Sequence, residues 1–474
     1  MSVVSSAVLA NSGIKFGTSG ARGLVEQFTN EACAAFTCAF VAVMRQSFVF
    51  DRVAIGIDRR PSSPAMAAAC AGALQQLGLE VDYYGILPTP ALALKSMADG
   101  IPSIMITGSH IPFDRNGIKF YRPDGEIEKA DELAILAVEA EVPAVEPCLP
   151  EASDAAVAFY RSRNLDMFPA GLLAGKRIGL YEHSAAGRDI CRDVLEQLGA
   201  TVVSLGRTET FVPIDTEAVS AEDQQRGREW AAEHQLDALF STDGDGDRPL
   251  LGDETGTWLR GDILGLLCAR YLGIQALAVP VSCNSAIEAS GAFARVMRTR
   301  IGSPYVIEGM QQLAGEFAGV AGFEANGGFL LGTDIQVNGA SVRALPTRDA
   351  LLPALVLLAI SVAENKPISA VLAELPARYT GSDRIQEFPT EKSQALIAGW
   401  REDVAGLLAF LGMSAEVVDV NNTDGLRLTL DNGEVVHLRP SGNAPELRCY
   451  AESASAEAAS QLVTFVLGKL ASLR

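Results

Sequence analysis

Short apolar runs alternate with longer stretches of helical spacing along most of the chain, and the alternation repeats. Val53–Asp58 (VAIGID) predicts a strand, followed by a Ser/Pro turn, an Ala-rich helix to Leu77, a break at Gly78 and a second strand, LEVDYYG. Arg177–Tyr181 (RIGLY) opens the same series, with a turn at Ser184–Gly187, a helix to Leu198, Gly199 and the strand ATVVSLG. Ala276–Ser282 (ALAVPVS) opens it again, with a helix from about Asn284 and the strand ARVMRTRIG. Strands alternating with helices of this length imply an α/β fold of parallel sheets covered on both faces.

A further helix and apolar strand follow each unit, and each of those strands runs into a loop of unusual composition. Pro102–Ile106 leads into TGSHIPFDRNGIKFY, Leu236–Phe240 into STDGDGDRPLL, and Val320–Phe323 into EANGGF. Ligands of open α/β sheets gather at the carboxyl ends of strands, so three equivalent loops are expected to face one shared cleft. The last hundred or so residues differ. Asn422–Leu438 reads as a hairpin with Asn432-Gly433 at its turn. The loop RPSGNAPELR, the strand Cys449–Glu452 and a closing helix follow, giving a smaller α+β unit that begins near Leu375–Ser382. The expected division is 1–155, 156–260, 261–374 and 375–474.

Composition supports a large core: of 474 residues, 48% are apolar and 20% charged. The longest apolar runs, Ala32–Met44 and Ala350–Ala363, fall short of a membrane span and read as buried helices. The first residues show no basic stretch ahead of an apolar one, so no secretory signal is expected. Eight cysteines lie scattered without CxxC pairing, as reduced thiols of a cytoplasmic protein would. A formal charge of −20 argues against a nucleic-acid partner, but a few converging Arg and Lys suffice for a small anion.

Candidate chemistry gathers in the loops. Asp243, Asp245 and Asp247 alternate with glycines directly after a strand. Carboxylates so close repel one another unless a cation neutralises them, and hard oxygen ligands suit Mg²⁺ or Ca²⁺. An EF-hand does not fit, because Arg248 stands at the loop position that needs glycine. Ser109, between Gly108 and His110, reads as a nucleophile or as a helix cap. His110 fits a proton-handling role and a structural hydrogen bond equally, and Lys119 lies on the strand beyond. The segment lacks a GxSxG elbow, and four histidines with no clear partner do not point to a Ser-His-Asp set. Arg439, Ser441, Gly442, Asn443 and Arg448 form a compact anion site. Lys15–Gly23 (KFGTSGARG) is glycine-rich and cationic but lacks the ending of a P-loop.

Taken together, KFGTSGARG, TGSHIPFDRNGIKFY, TDGDGDRP, EANGG and RPSGNAPELR resemble, in order and along the whole chain, the α-D-phosphohexomutases. The resemblance implies three similar mixed α/β domains and a smaller α+β C-terminal domain around one central cleft. It implies that Ser109 carries a phosphoryl group, with Mg²⁺ joining that phosphate to Asp243, Asp245 and Asp247. Arg22, Arg248 and Lys119 would stabilise the transferring charge, Lys119 also as general acid/base, with His110 beside the serine. Glu324 and Asn326 would grip ring hydroxyls, and the loop of Arg439, Ser441, Gly442, Asn443 and Arg448 would hold the non-reacting phosphate. The last domain would swing inward to retain a bisphosphate intermediate.

The pattern departs from the family at several points. GSHIP replaces ASHNP, Asn326 and Gly328 replace a serine and a histidine, and Gly302-Ser303-Pro304-Tyr305 replaces a stretch often carrying a histidine or charge. Asn443 and Ala444 stand for threonine and glutamate. None removes the nucleophile or the aspartates, so these changes bear on sugar choice. As a whole the pattern is most similar to bacterial members acting on mannose phosphates. The expected reaction is mannose 6-phosphate to mannose 1-phosphate, with Mg²⁺ and a hexose 1,6-bisphosphate activator, and with glucose or glucosamine phosphates as alternative substrates. The expected partners are small hexose phosphates, with no membrane or nucleic acid. A phosphatase and a non-catalytic sugar-phosphate binder are the rival readings.

Overall fold

The computed structural model of the protein describes residues 3–17, 20–441 and 445–474. Each repeat builds a sheet on one plan, its first strand lying between two parallel neighbours. Arg52–Ile57 lies between Glu80–Ile86 and Ser103–Ile106. Arg177–Tyr181 lies between Thr201–Leu205 and Ala238–Thr242, and Ala276–Pro280 between Arg295–Thr299 and Val320–Phe323.

The sheets are mixed, however, where the repeat alone predicts purely parallel ones. After each third strand the chain returns antiparallel, along Arg115–Arg122, Pro249–Gly252 and Phe329–Leu331. A hairpin return needs only a short loop, whereas a parallel return needs a crossover segment. The three loops of unusual composition are these hairpin connections. The first sheet continues through Gly20–Leu24, whose Arg22 pairs with Gly117. In the third repeat the predicted helix is a single turn, Ala286–Ala289, because Gly291 at φ 63° ends it.

Both long apolar runs form buried helices, Asn30–Met44 and Leu351–Glu364. Pro353 sits in the first turn of the second, where an amide lacks an intrahelical partner anyway. Each fully buried Leu or Phe on these helices contributes about 1.5–3 kcal/mol of transfer free energy. Among the described residues no helix is long and apolar enough to cross a membrane. All eight cysteines are free, and Cys148 alone is exposed.

The three repeats share a core, since Leu92, Ile178, Leu267 and Leu355 belong to one apolar cluster. The last unit packs a core of its own around Phe388, Leu426, Leu438 and Val466. Its antiparallel sheet runs Tyr379–Ile385, Leu447–Ser453, Val435–Pro440, Leu426–Leu430, Val417–Asn421, and Gly433 at φ 82° makes the predicted turn. Polar contacts join it to the third repeat. Asn284 Nδ2 donates to Arg378 O and Thr380 Oγ1, Ser285 N donates to Glu452, and Ile301 N donates to Asp424 Oδ2 at 3.0 Å.

Candidate active site

The buried strand Ala238–Thr242 delivers Asp243, Asp245 and Asp247 to its carboxyl end, all three fully buried. One oxygen of each lies within 4.8 Å of the others. Gly246, at φ 71°, permits the turn that faces them inward. Lys119 Nζ donates to Asp245 Oδ2 at 2.5 Å and to Asp247 Oδ2 at 2.8 Å. Arg348 donates to Asp247 Oδ2 through Nε at 3.1 Å and Nη2 at 3.0 Å.

Burial alone would push all three carboxyls upward. At Asp245 the Lys119 ammonium overcomes burial and Asp247, and at Asp247 Arg348 and Lys119 overcome it. At Asp243 the balance is reversed: burial, then its two acidic neighbours, outweigh Arg248 and Lys119 and hold it well above the usual range. Among the described residues Asp245 Oδ1 and Asp247 Oδ1 have no hydrogen-bond partner. Two orphaned carboxylate oxygens and a third carboxyl short of positive charge suit a hard divalent cation, so the donor set fits one.

The serine loop meets this cluster from another sheet. Ser109 Oγ donates to Asp243 Oδ2 at 2.8 Å, and its amide donates to Thr107 Oγ1 at 2.8 Å. His110 Nδ1 lies 3.4 Å from Ser109 Oγ but accepts a shorter bond, 2.8 Å, from Arg248 Nη1. Burial, then Arg248 and Arg22, lower the His110 imidazole to about 4. It is therefore neutral, with its Nδ1 lone pair engaged by arginine. The serine proton points to a carboxylate, not to an imidazole.

Lys119 remains an ammonium. Burial lowers its pKa, but Asp245 and Asp247 outweigh burial and raise it.

Above the cluster opens a cleft of about 1540 Å³, lined by Arg22, His110, Arg248, Glu324, Asn326, Arg439, Ser441 and Arg448. Burial and the like charges of Arg248 and Arg348 bring Arg22 down to about 10, despite Asp245 and Asp247. Crowded guanidiniums of this kind favour an anion. Glu324 Oε2 accepts from Arg348 Nη1 at 3.4 Å and from Asn326 Nδ2 at 3.5 Å. Gly328 is forced: a Cβ there would lie 2.5 Å from the Arg348 side chain. Farther along the cleft, Arg439 Nε donates to Asp424 Oδ2 at 2.9 Å, and Arg448 donates to Glu446 Oε2 at 3.2 and 3.4 Å. Ser441 N donates to Glu446 O at 2.9 Å. Gly442 and Asn443 lie outside the described residues.

Three features of the site escaped sequence reasoning. Arg348 comes from the fifth strand of the third sheet, Leu345–Asp349. Arg60 reaches into the serine loop from the end of the first strand, where the consecutive charges of Asp58, Arg59 and Arg60 were an available signal. The segment 206–220 touches both ends of the site. Its Phe211 ring stacks on Arg60, and Thr216 Oγ1 donates to Asn326 O at 2.9 Å.

Comparison with known proteins agrees along the chain. Residues 13–142, 260–379 and 360–469 match phosphoglucomutase/phosphomannomutase alpha/beta/alpha domain I, alpha/beta/alpha domain III and C-terminal domain. The chain is 54% identical over 468 residues to a phosphomannomutase of Salmonella muenchen, covering 98% of this chain and 97% of that protein. It is 46% identical over 470 residues to a phosphomannomutase of Sinorhizobium fredii, covering 95% and 97%. It is 28% identical over 487 residues to a phosphoglucosamine mutase of Carboxydothermus hydrogenoformans, covering 97% and 99%. In fold it is similar to a family protein of Burkholderia thailandensis, with TM-score 0.74, 18% identity and 96% of each chain covered.

Proposed function

Because this chain belongs to the phosphoglucomutase/phosphomannomutase family, we propose that it interconverts mannose 6-phosphate and mannose 1-phosphate, with Ser109 as the carrier of the phosphoryl group. The observation that carries the reading is the 2.8 Å bond from Ser109 Oγ to Asp243 Oδ2 inside a buried acidic cluster. A hydroxyl set against a cation-seeking cluster, beneath a guanidinium-lined cleft, suits phosphoryl transfer.

The phosphorylated Ser109 gives its phosphoryl group to the free hydroxyl of the bound sugar phosphate. The Oγ–P bond breaks, a sugar O–P bond forms, and a hexose 1,6-bisphosphate results. The bisphosphate then turns end for end, and its other phosphoryl group returns to Ser109 Oγ. Lys119 Nζ, held protonated between Asp245 and Asp247, is the group that would give a proton to the departing Oγ and be reprotonated by the one the attacking sugar hydroxyl releases, and both transfers reverse when the phosphoryl group returns to Ser109. Arg22 and Arg248 bind the phosphoryl oxygens in the cleft, where their charge meets charge developing in transfer. His110, neutral, holds the Arg248 guanidinium in place through Nδ1. Asp243, Asp245 and Asp247 would hold Mg²⁺, which when bound supplies charge neutralisation for the transferring group.

At the other end of the cleft, Arg439, Ser441 and Arg448, with Gly442 and Asn443 of the same loop, would bind the phosphate that is not reacting. Glu324 and Asn326 would accept from and donate to ring hydroxyls. The division at 1–155, 156–260, 261–374 and 375–474 assigns serine, metal, sugar and distal phosphate to successive domains. The preference for mannose rests on the names of the two most similar relatives described.

Phosphorus NMR of the protein with Mg²⁺, a trace of glucose 1,6-bisphosphate and, separately, mannose, glucose and glucosamine 1-phosphates tests this reading. Conversion of mannose 1-phosphate to the 6-phosphate as the fastest reaction, without free phosphate, is expected. Glucosamine phosphate as much the best substrate would overturn the sugar assignment, and steady release of inorganic phosphate would indicate a phosphatase.

A further inference from the structure

Ser109 has a left-handed backbone, φ 52°. Such a conformation is strained for a non-glycine residue and persists where its surroundings enforce it. Besides the bonds of the serine amide to Thr107 Oγ1 and of its hydroxyl to Asp243, the loop around Ser109 is gathered by one guanidinium. Arg60 is 1% exposed. Its Nη2 donates to Ser109 O at 3.0 Å and Ile111 O at 2.6 Å. Its Nη1 donates to Pro112 O at 2.8 Å and Arg115 O at 2.9 Å. Four carbonyls of one loop thus converge on one cation, through hydrogen bonds stronger than neutral ones.

Arg60 is itself held by its neighbours. Asp58 Oδ2 lies 3.3 Å from its Nε, while Asp58 Oδ1 accepts from Ser63 Oγ at 2.6 Å and from the Arg60 amide at 3.0 Å. Gly108 presses against it: a Cβ there would come within 2.6 Å of Nε and Cζ. The Phe211 ring, from the segment after the second repeat's second strand, lies 3.9 Å from the guanidinium carbon. That ring also borders the aspartate loop, since a Cβ on Gly244 would stand 3.1 Å from it and 2.8 Å from Ser109 O.

We propose that Arg60 is the positioning residue of the transfer site. By gathering the carbonyls of residues 109–115 it fixes Ser109 with Oγ on Asp243, and through Phe211 it locks the serine loop to the aspartate loop of another sheet. No bond forms or breaks at Arg60. The inference rests on the reading of Ser109 as the phosphoryl carrier.

Arg60→Lys keeps the charge but loses the planar fork that spans four acceptors. The test charges wild-type protein and Arg60→Lys with glucose 1,6-bisphosphate in Mg²⁺, follows Ser109 phosphorylation by quenched-flow mass spectrometry, and measures kcat and KM for mannose 1-phosphate per folded molecule. The phosphorylation rate and kcat are expected to fall together by about a hundredfold, because a loosened nucleophile loses orientation, while KM holds. Phe211→Leu is expected to move the same two rates in the same direction by about tenfold. A merely structural role would lower the folded fraction and leave both rates per folded molecule unchanged, and that result in Arg60→Lys overturns the inference. Should Arg60→Lys fail to fold, Phe211→Leu decides: reduced rates support the inference and wild-type rates overturn it. Wild-type protein that takes no phosphoryl group on Ser109 removes the underlying reading, and the inference with it, before any variant is compared.

Discussion

Ser109 Oγ and Asp243 Oδ2 lie 2.8 Å apart although 134 residues separate them in the chain. Two repeats of one βαβ plan each end in a loop, and the close packing of those loops makes the contact. Removing the hydroxyl leaves the acidic cluster and the cleft in place. Ser109→Ala is therefore expected to lower turnover at least about a thousandfold, as loss of a nucleophile does, while binding of mannose 1-phosphate by calorimetry is retained. Wild-type turnover in this variant would exclude Ser109 as the carrier.

Cation binding is expected to stabilise the fold, because Asp243 is short of positive charge and two further carboxylate oxygens lack partners. Mg²⁺ at a hundred times its dissociation constant should add about 2.7 kcal/mol to the unfolding free energy. Chelation should abolish activity, and Asp245→Asn should shrink the Mg²⁺-dependent rise in Tm. Calorimetric scans with and without the ion check this, and equal Tm values would contradict a site here.

Gly328 carries no side chain because Arg348 fills the space. Gly328→Ala forces the arginine off the geometry that bonds it to Asp247 Oδ2, at a cost of about 1–3 kcal/mol from overpacking. Activity should fall with stability, since Arg348 also balances the acidic cluster. Urea unfolding and steady-state kinetics on the variant give both numbers, and an unchanged denaturation midpoint would show that the arginine moves freely.

Two histidines outside the site set an acid limit on stability. His183 Nε2 donates to Thr242 O at 2.8 Å and His437 Nε2 to Asp424 O at 2.6 Å, and neither Nδ1 has a hydrogen-bond partner among the described residues. Burial is the main cause that lowers each to about 4, from 6.5. The fold therefore favours the neutral rings. Their contribution is complete above pH about 6.5 and is lost as pH falls through about 4, since the unfolded chain binds the proton more readily. Each should cost about 2 kcal/mol at pH 5 relative to pH 7. Urea denaturation at the two pH values should show this loss, and His437→Gln should remove its share of the pH dependence.

Much of this architecture is legible in the sequence because it is locally encoded. VAIGID, RIGLY and ALAVPVS mark the central strands, and Asn432-Gly433 marks its turn through a preference that needs no partner. The aspartates are legible because three carboxylates two residues apart have no stable use without a cation. Arg348 and Phe211 are not legible, since each acts on a residue about a hundred or more positions away and neither lies in a distinctive local pattern. The antiparallel direction of the return strands is not legible for a related reason. Periodicity identifies a strand, but its direction is set by the length of the loop before it.

The most direct measurement is the intact mass of the protein after incubation with glucose 1,6-bisphosphate and Mg²⁺, with the modified peptide mapped by fragmentation. One added phosphoryl group on Ser109, discharged when excess mannose 1-phosphate is supplied, is the expected result. A group on another residue, or one on Ser109 that mannose 1-phosphate leaves in place, would contradict the account.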